Sequence, residues 1–191
     1  MSLDSLKMPA GAQSGSDARA QQVIEADRLV LRPLRRSDAG LITLYSGDER
    51  LARMTTSIPH PLPPGTTESF IARAADPDRE EDVWVMDGAG QGADEVMGVV
   101  SIRPVDTSQC EIGYWVAPPY WNTGLASETV KVLIDANPFR AETMFASVFQ
   151  DNPASARVLT NAGFEYIGDA EAFSVARNAK VATWTYLRRM R

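Results

Sequence analysis

The chain has 191 residues, 44% apolar and 23% charged, the size and balance of one globular domain or of one domain with a tail. A net charge of −6 and an isoelectric point near 4.9 argue against a general nucleic-acid binder, which needs a basic face to displace phosphate counterions, and no run approaches the ~18 apolar residues that cross a bilayer. One cysteine, Cys110, and one histidine, His60, exclude an intramolecular disulfide and argue against zinc chemistry, which would need several carboxylates in support, so the expectation is a cytoplasmic protein with no metal, no membrane partner and no secretory signal in its first ten residues.

Residues 1–22 are rich in Ser, Ala, Gly and Gln and read as a flexible tail, leaving residues 23–191 as a single domain. Arg28–Arg32 alternates charged and apolar residues, as a half-buried strand does, and Pro33 ends it. Ser37 reads as a helix N-cap, with Leu41, Leu44 and Tyr45 following at helical spacing. Pro59, Pro61, Pro63 and Pro64 make 57–65 an extended loop. Thr66 or Thr67 then caps a short helix whose apolar side is Phe70, Ile71 and Ala74. Val83–Met86 and Glu95–Arg103 read as an antiparallel hairpin around a Gly88–Gly92 turn.

Gln109–Val116 is a further strand, broken by Pro118 and Pro119. In the helix that follows, Ala126, Val130, Leu133 and Ile134 form one buried stripe. Thr143–Gln150 is a strand. Asn152 caps a helix with Pro153 at its first position and Gly163 just past its end. Phe164–Ile167 and Val181–Leu187 are the last strands. This order implies an α/β (α+β) fold: a mixed, largely antiparallel sheet of six to seven strands covered by about four helices. A parallel pair is expected where strand, crossover helix and strand succeed one another over 109–150.

The stretch Glu111-Ile-Gly-Tyr-Trp-Val-Ala-Pro-Pro-Tyr-Trp-Asn-Thr-Gly-Leu-Ala-Ser-Glu128 carries the most chemistry. A strand stops at two prolines, and a polar loop leads straight into an amphipathic helix. The amides of about residues 122–127 have no partner inside that helix, and the helix dipole adds partial positive charge. Together they suit a phosphate or diphosphate, with Gly124 allowing close approach, although a plain connector has the same outline. The lysine and hydroxyl of a nucleoside-triphosphate loop are absent, and one glycine does not make a dinucleotide fingerprint.

This stretch, followed by Asn152-Pro-Ala-Ser-Ala-Arg-Val-Leu-Thr-Asn-Ala-Gly-Phe164, resembles the GNAT superfamily of acetyl-CoA-dependent N-acetyltransferases. Within it the pattern is most similar to the branch that acetylates ribosomal-protein N-termini, the RimJ/RimL type. Two departures stand out. Trp121 occupies the first loop position, usually Gln or Arg, while Gly124 and Ala126 match the pattern; and Leu159 stands where many members carry a proton-donating tyrosine.

The resemblance implies that acetyl-CoA, as cosubstrate, rests its diphosphate on Asn122, Thr123, Gly124, Leu125, Ala126 and Ser127. It implies that the strand end at Trp115, Val116 and Ala117 splays to pair with the pantetheine arm, that an amide near Val116 holds the thioester oxygen, and that Asn152 bonds the pantetheine. It implies direct transfer to a primary amine, either a protein N-terminus or a small molecule, with no covalent enzyme intermediate, and a possible homodimer. Strand parity puts Glu111, Gly113 and Trp115 on one face and Cys110, Ile112 and Tyr114 on the other. Glu111 is the candidate general base, acting through a water, or else a solvated carboxylate or half of an ion pair. Ser155 is the candidate donor of the thiolate's proton, with water, Tyr114 and Tyr166 as alternatives, or else a first-turn residue bonding local backbone. Cys110 reads as core, His60 as a surface residue or an acceptor contact, and Tyr120 as packing. A non-catalytic acyl-CoA sensor is the competing function.

Overall fold

The computed structural model describes residues 20–190. Strands β1 (Ile24–Glu25) and β2 (Val30–Pro33) open the domain, followed by helices α1 (Ala39–Ser46), α2 (Glu49–Ala52) and α3 (Thr66–Ala74). Three strands come next: β3 (Asp82–Asp87), β4 (Gly98–Pro104) and β5 (Gln109–Val116). Then follow α4 (Leu125–Ala136), β6 (Thr143–Phe149), α5 (Pro153–Asn161) and the hairpin of β7 (Glu165–Ser174) with β8 (Ala179–Arg189). All eight strands share one sheet, ordered β1-β2-β3-β4-β5-β6-β8-β7. Every neighbouring pair is antiparallel except β5 with β6.

The α+β architecture and the parallel pair match the sequence reading; the counts differ by short elements. β1 has two residues and α2 four, too few to show a period. The expected tail lies outside the described residues as far as residue 19. At Gln21 and Gln22 the chain is already attached: Gln21 donates to the Val83 carbonyl, and Trp84 Nε1 donates to the Gln22 carbonyl, both at 2.7 Å.

Helices cover both faces of the sheet. Ile42 and Tyr45 of α1 and Ile71 and Ala74 of α3 pack on Val83 and Val85. Val130, Leu133 and Ile134 of α4 and Ala156 and Leu159 of α5 pack on the opposite face, with Trp84 and Met86. β3 is therefore buried on both sides, which explains its unbroken apolar run. Of the expected α4 stripe, Val130, Leu133 and Ile134 are almost fully buried and Ala126 is half-buried; each of the three contributes ~1.5–3 kcal/mol.

Two helix starts differ from expectation. Ser37 is not an N-cap: it lies inside a 3-10 turn, Arg36–Asp38, whose Asp38 carboxylate accepts the Arg35 N–H at 2.7 Å. Asp38 is recruited because the buried Arg32 grips it bidentately, at 2.8 and 2.9 Å, while also donating to Asp87. Neither Thr66 nor Thr67 caps α3; Gly65 does, in the left-handed region at φ 81°, and the Thr66 hydroxyl turns back to Pro63. β7 runs well beyond the expected Ile167. Most of its side chains are exposed on both faces, so it lacks the alternation that marks a half-buried strand.

Candidate active site

The sheet is split at its centre. β5 and β6 pair only at Gln109, Cys110 and Glu111, opposite Thr143, Met144 and Phe145. Beyond Glu111, β5 stays with β4, and β6 stays with β8, so a gap opens between two parallel strands. Ala117 donates its N–H to the Met97 carbonyl at 2.8 Å. Alternation along an antiparallel ladder then turns Trp115 toward β4 as well, and Tyr114 and Val116 toward the gap. Of the expected trio Trp115, Val116 and Ala117, only Val116 therefore offers its amide to the gap. Its carbonyl is taken by the Trp121 indole N–H at 2.6 Å.

The loop after β5 enters α4 through two left-handed residues, Asn122 at φ 61° and Gly124 at φ 81°. Thr123 is held by its hydroxyl to the Tyr120 carbonyl at 2.6 Å. Leu125 anchors the first helical turn in the core at 3% exposure. The Glu128 N–H bonds the Gly124 carbonyl, so the amides of Leu125, Ala126 and Ser127 precede it without helical partners. Free amides of this kind at a helix start can take an anion.

The start of α5 lies on the other side. Asn152 caps it, accepting the Ser155 N–H at 3.2 Å, with Pro153 at the first position. Its Oδ1 is thus engaged, and Nδ2 remains as a donor. The Ser155 hydroxyl lies 2.8 Å from the Tyr114 hydroxyl across the gap. Burial pushes the Tyr114 phenol up to about 12, against a smaller opposing pull from Ser155. Tyr114 therefore stays protonated at neutral pH, and the pair can pass a proton to a base that appears beside it. Leu159 is fully buried in the core. Tyr166 is exposed and bonds Asp169, so Tyr114 is the tyrosine that meets Ser155.

A cleft of about 750 Å³ lies on the face of Glu111, Gly113 and Trp115, bounded by α1, α3 and residues 54–59. Glu111 sits on its floor, bonded to Arg103 across the β4–β5 register. The carboxylate thus has an ion-pair partner and still borders the cleft. Nothing crowds Gly113: a Cβ built there meets only Ser101 Oγ, at 3.6 Å, which leaves room beside Glu111. One wall is tied down by Arg177, in the β7–β8 turn. It donates to both Asp151 oxygens, at 2.6 and 3.1 Å, and to the Arg53 carbonyl at 2.8 Å.

Cys110 is buried. His60 is exposed, outside the lining of the cleft that its neighbours Ile58 and Pro59 help form. Among the described residues no group of His, Cys, Asp or Glu could hold a metal, and no helix is long and apolar enough to cross a membrane. Sequence reasoning missed the arginines Arg28, Arg50, Arg103 and Arg177. Only Arg103 left a signal, since a short turn at 105–108 sets it opposite Glu111. The others arrive from remote elements.

Residues 28–165 match the family model described as an acetyltransferase (GNAT) domain. An uncharacterised N-acetyltransferase of Bacillus subtilis, YoaA, is 26% identical over 159 residues, covering 76% of this chain and 84% of its own. Among solved structures, RimL, a ribosomal L7/L12 α-N-protein acetyltransferase in complex with coenzyme A, superposes with TM-score 0.75 at 16% identity, over 88% of this chain and 98% of that one. The spermidine N-acetyltransferase of Vibrio cholerae, in complex with CoA and spermine, gives 0.71 at 17% identity, over 85% and 96%. At these identities the two structures show a shared fold.

Proposed function

Because the chain belongs to the GNAT acetyltransferase family, we propose that it moves the acetyl group of acetyl-CoA directly to a primary amine, of a protein N-terminus or a small molecule, with general-base assistance and no covalent intermediate. The observation that carries this reading is the split between β5 and β6. The start of α4, the start of α5 and the Glu111 cleft all meet it.

In this reading the residue 122–127 cradle holds the diphosphate. The Val116 N–H pairs with the thioester side of the pantetheine and stabilises the charge that grows on the carbonyl oxygen. Asn152 Nδ2 bonds the pantetheine. Glu111 takes the amine proton through a water; an α-amine with a pKa of about 8 needs only a modest base. Ser155, backed by Tyr114, returns a proton to the departing thiolate. Cys110 takes no covalent part, since it is buried with no histidine beside it. Residues 23–191 act as one domain, in a cytoplasmic homodimer.

The test is thiol release from acetyl-CoA against a panel of peptides with free N-termini, polyamines and amino acids, with mass spectrometry of the products. Acetylation of at least one primary amine is expected. Saturable coenzyme A binding with no turnover on any amine overturns the catalytic reading.

A further inference from the structure

The phosphate cradle brings no cation of its own. Between Ala117 and Val130 there is no Lys or Arg, and Trp121 stands at the loop's first position. The next basic residue, Lys131, is paired with Asp135 at 2.8 Å. Partial charges at a helix start are a modest counterweight to a diphosphate.

Two guanidinium groups reach the loop from elsewhere in the chain. Arg28, just ahead of β2, donates Nη1 to the Thr123 carbonyl at 2.9 Å and Nε to Glu128 at 2.6 Å. Its Nη2 lies 3.6 Å from the point where a Cβ on Gly124 would stand, so it borders the cradle at its tightest position. Arg50 of α2 lies over the Trp121 ring, 5.2 Å from its centroid. The ring is fixed by its own bond to Val116. Glu128 and Asp48 orient the two arginines but leave donors over: Asp48 takes Nε and Nη2 of Arg50, so Nη1 is spare. A planar guanidinium can stack on an indole and still donate from its edge, which lysine cannot.

We propose that Arg28 and Arg50 clamp the cosubstrate's diphosphate from the Gly124 and Trp121 ends of the loop, supplying the charge that the loop sequence lacks. The clamp rests on the acetyl-CoA reading above. It also accounts for Trp121: the indole carries a cation on its face in place of being one.

The test is titration of the full chain, and of Arg50→Gln and Arg28→Gln, with coenzyme A, with dephospho-coenzyme A and with pantetheine, at low and high salt. Each variant is expected to weaken both diphosphate ligands by ~3–10-fold, to leave pantetheine binding unchanged and to flatten the salt dependence of Kd. Arg50 is largely exposed, so its variant keeps the test valid if Arg28→Gln fails to fold. Coenzyme A affinity within twofold of the parent in the folded variants overturns the clamp. So does an equal loss of pantetheine, which marks a purely structural role, or a loss confined to coenzyme A, which moves the contact to the 3′-phosphate. A parent chain that binds no coenzyme A overturns the acetyl-CoA reading itself, whereas a parent that binds it beside unaffected variants overturns the clamp alone.

Discussion

The hydroxyls of Tyr114 and Ser155 lie 2.8 Å apart, joining β5 to the first turn of α5 across the place where the sheet opens. The two residues are 41 positions apart in the chain, yet their hydroxyls form one hydrogen-bonded unit. Tyr114 holds the serine hydroxyl in a fixed orientation, and Asn152 holds the same residue's amide.

If this unit protonates the leaving thiolate, Ser155→Ala lowers kcat by ~10²-fold while the coenzyme A Kd moves less than twofold. Tyr114→Phe removes only the orienting partner and costs less. Because burial pushes the Tyr114 phenol up to about 12, the neutral donor persists into alkaline solution. The pH–rate profile therefore carries no limb at the ordinary tyrosine value of about 10. A limb there that disappears in Tyr114→Phe contradicts the raised value of the phenol.

Glu111→Gln is expected to reduce kcat by ~10²-fold and to leave the KM for acetyl-CoA nearly unchanged, because the side chain lies in the cleft bounded by α1 and α3 and not in the α4 loop. An unchanged rate constant at every pH removes Glu111 from the chemistry and leaves it as the partner of Arg103.

Gly124→Val strains the backbone at φ 81°, at a cost of ~1–2 kcal/mol. A Cβ there meets only the Arg28 Nη2, at 3.6 Å, and the two methyl groups beyond it obstruct a ligand's approach to the backbone. The expected result is loss of coenzyme A binding, with a lowered Tm. Full affinity in a folded variant shows that the anion site lies elsewhere.

Arg32→Ala leaves the buried Asp38 and the half-buried Asp87 without the guanidinium that bridges them; their side chains are 0% and 15% exposed. The expected loss is ~3–5 kcal/mol at pH 7, read from denaturant midpoints. The loss depends on pH. Burial raises the Asp87 carboxyl, but the bonds from Arg32 and the Ala89 N–H outweigh it, so the net value falls below the usual 3.8. A depressed carboxylate contributes stability above its unfolded value and loses it as pH falls through the folded one. The gap between parent and variant should therefore narrow below about pH 4. A gap constant from pH 7 to pH 2 contradicts the network.

Some of this was legible from neighbouring residues alone. The double proline after Val116, the glycine at 124 and the Asn152-Pro153 start each act within one turn of backbone, so a local reading finds them. Ser37 misled that reading for a tertiary reason, Thr66 for a backbone one. Arg32 draws Asp38 into the turn ahead of α1, and the left-handed Gly65 starts α3 one residue before the threonines.

By itself the sequence determined the alternation that separates Glu111 from Cys110, the strand–loop–helix that leaves amides unpaired, and the order of elements, because periodicity and caps act over a few bonds. The tertiary structure decided where the β5–β6 ladder ends, which amide faces the gap, and that Arg28 and Arg50 flank a loop lying more than 70 positions away. Those outcomes depend on which strands become neighbours, and sheet order is settled by packing across the whole core, which no local spacing records.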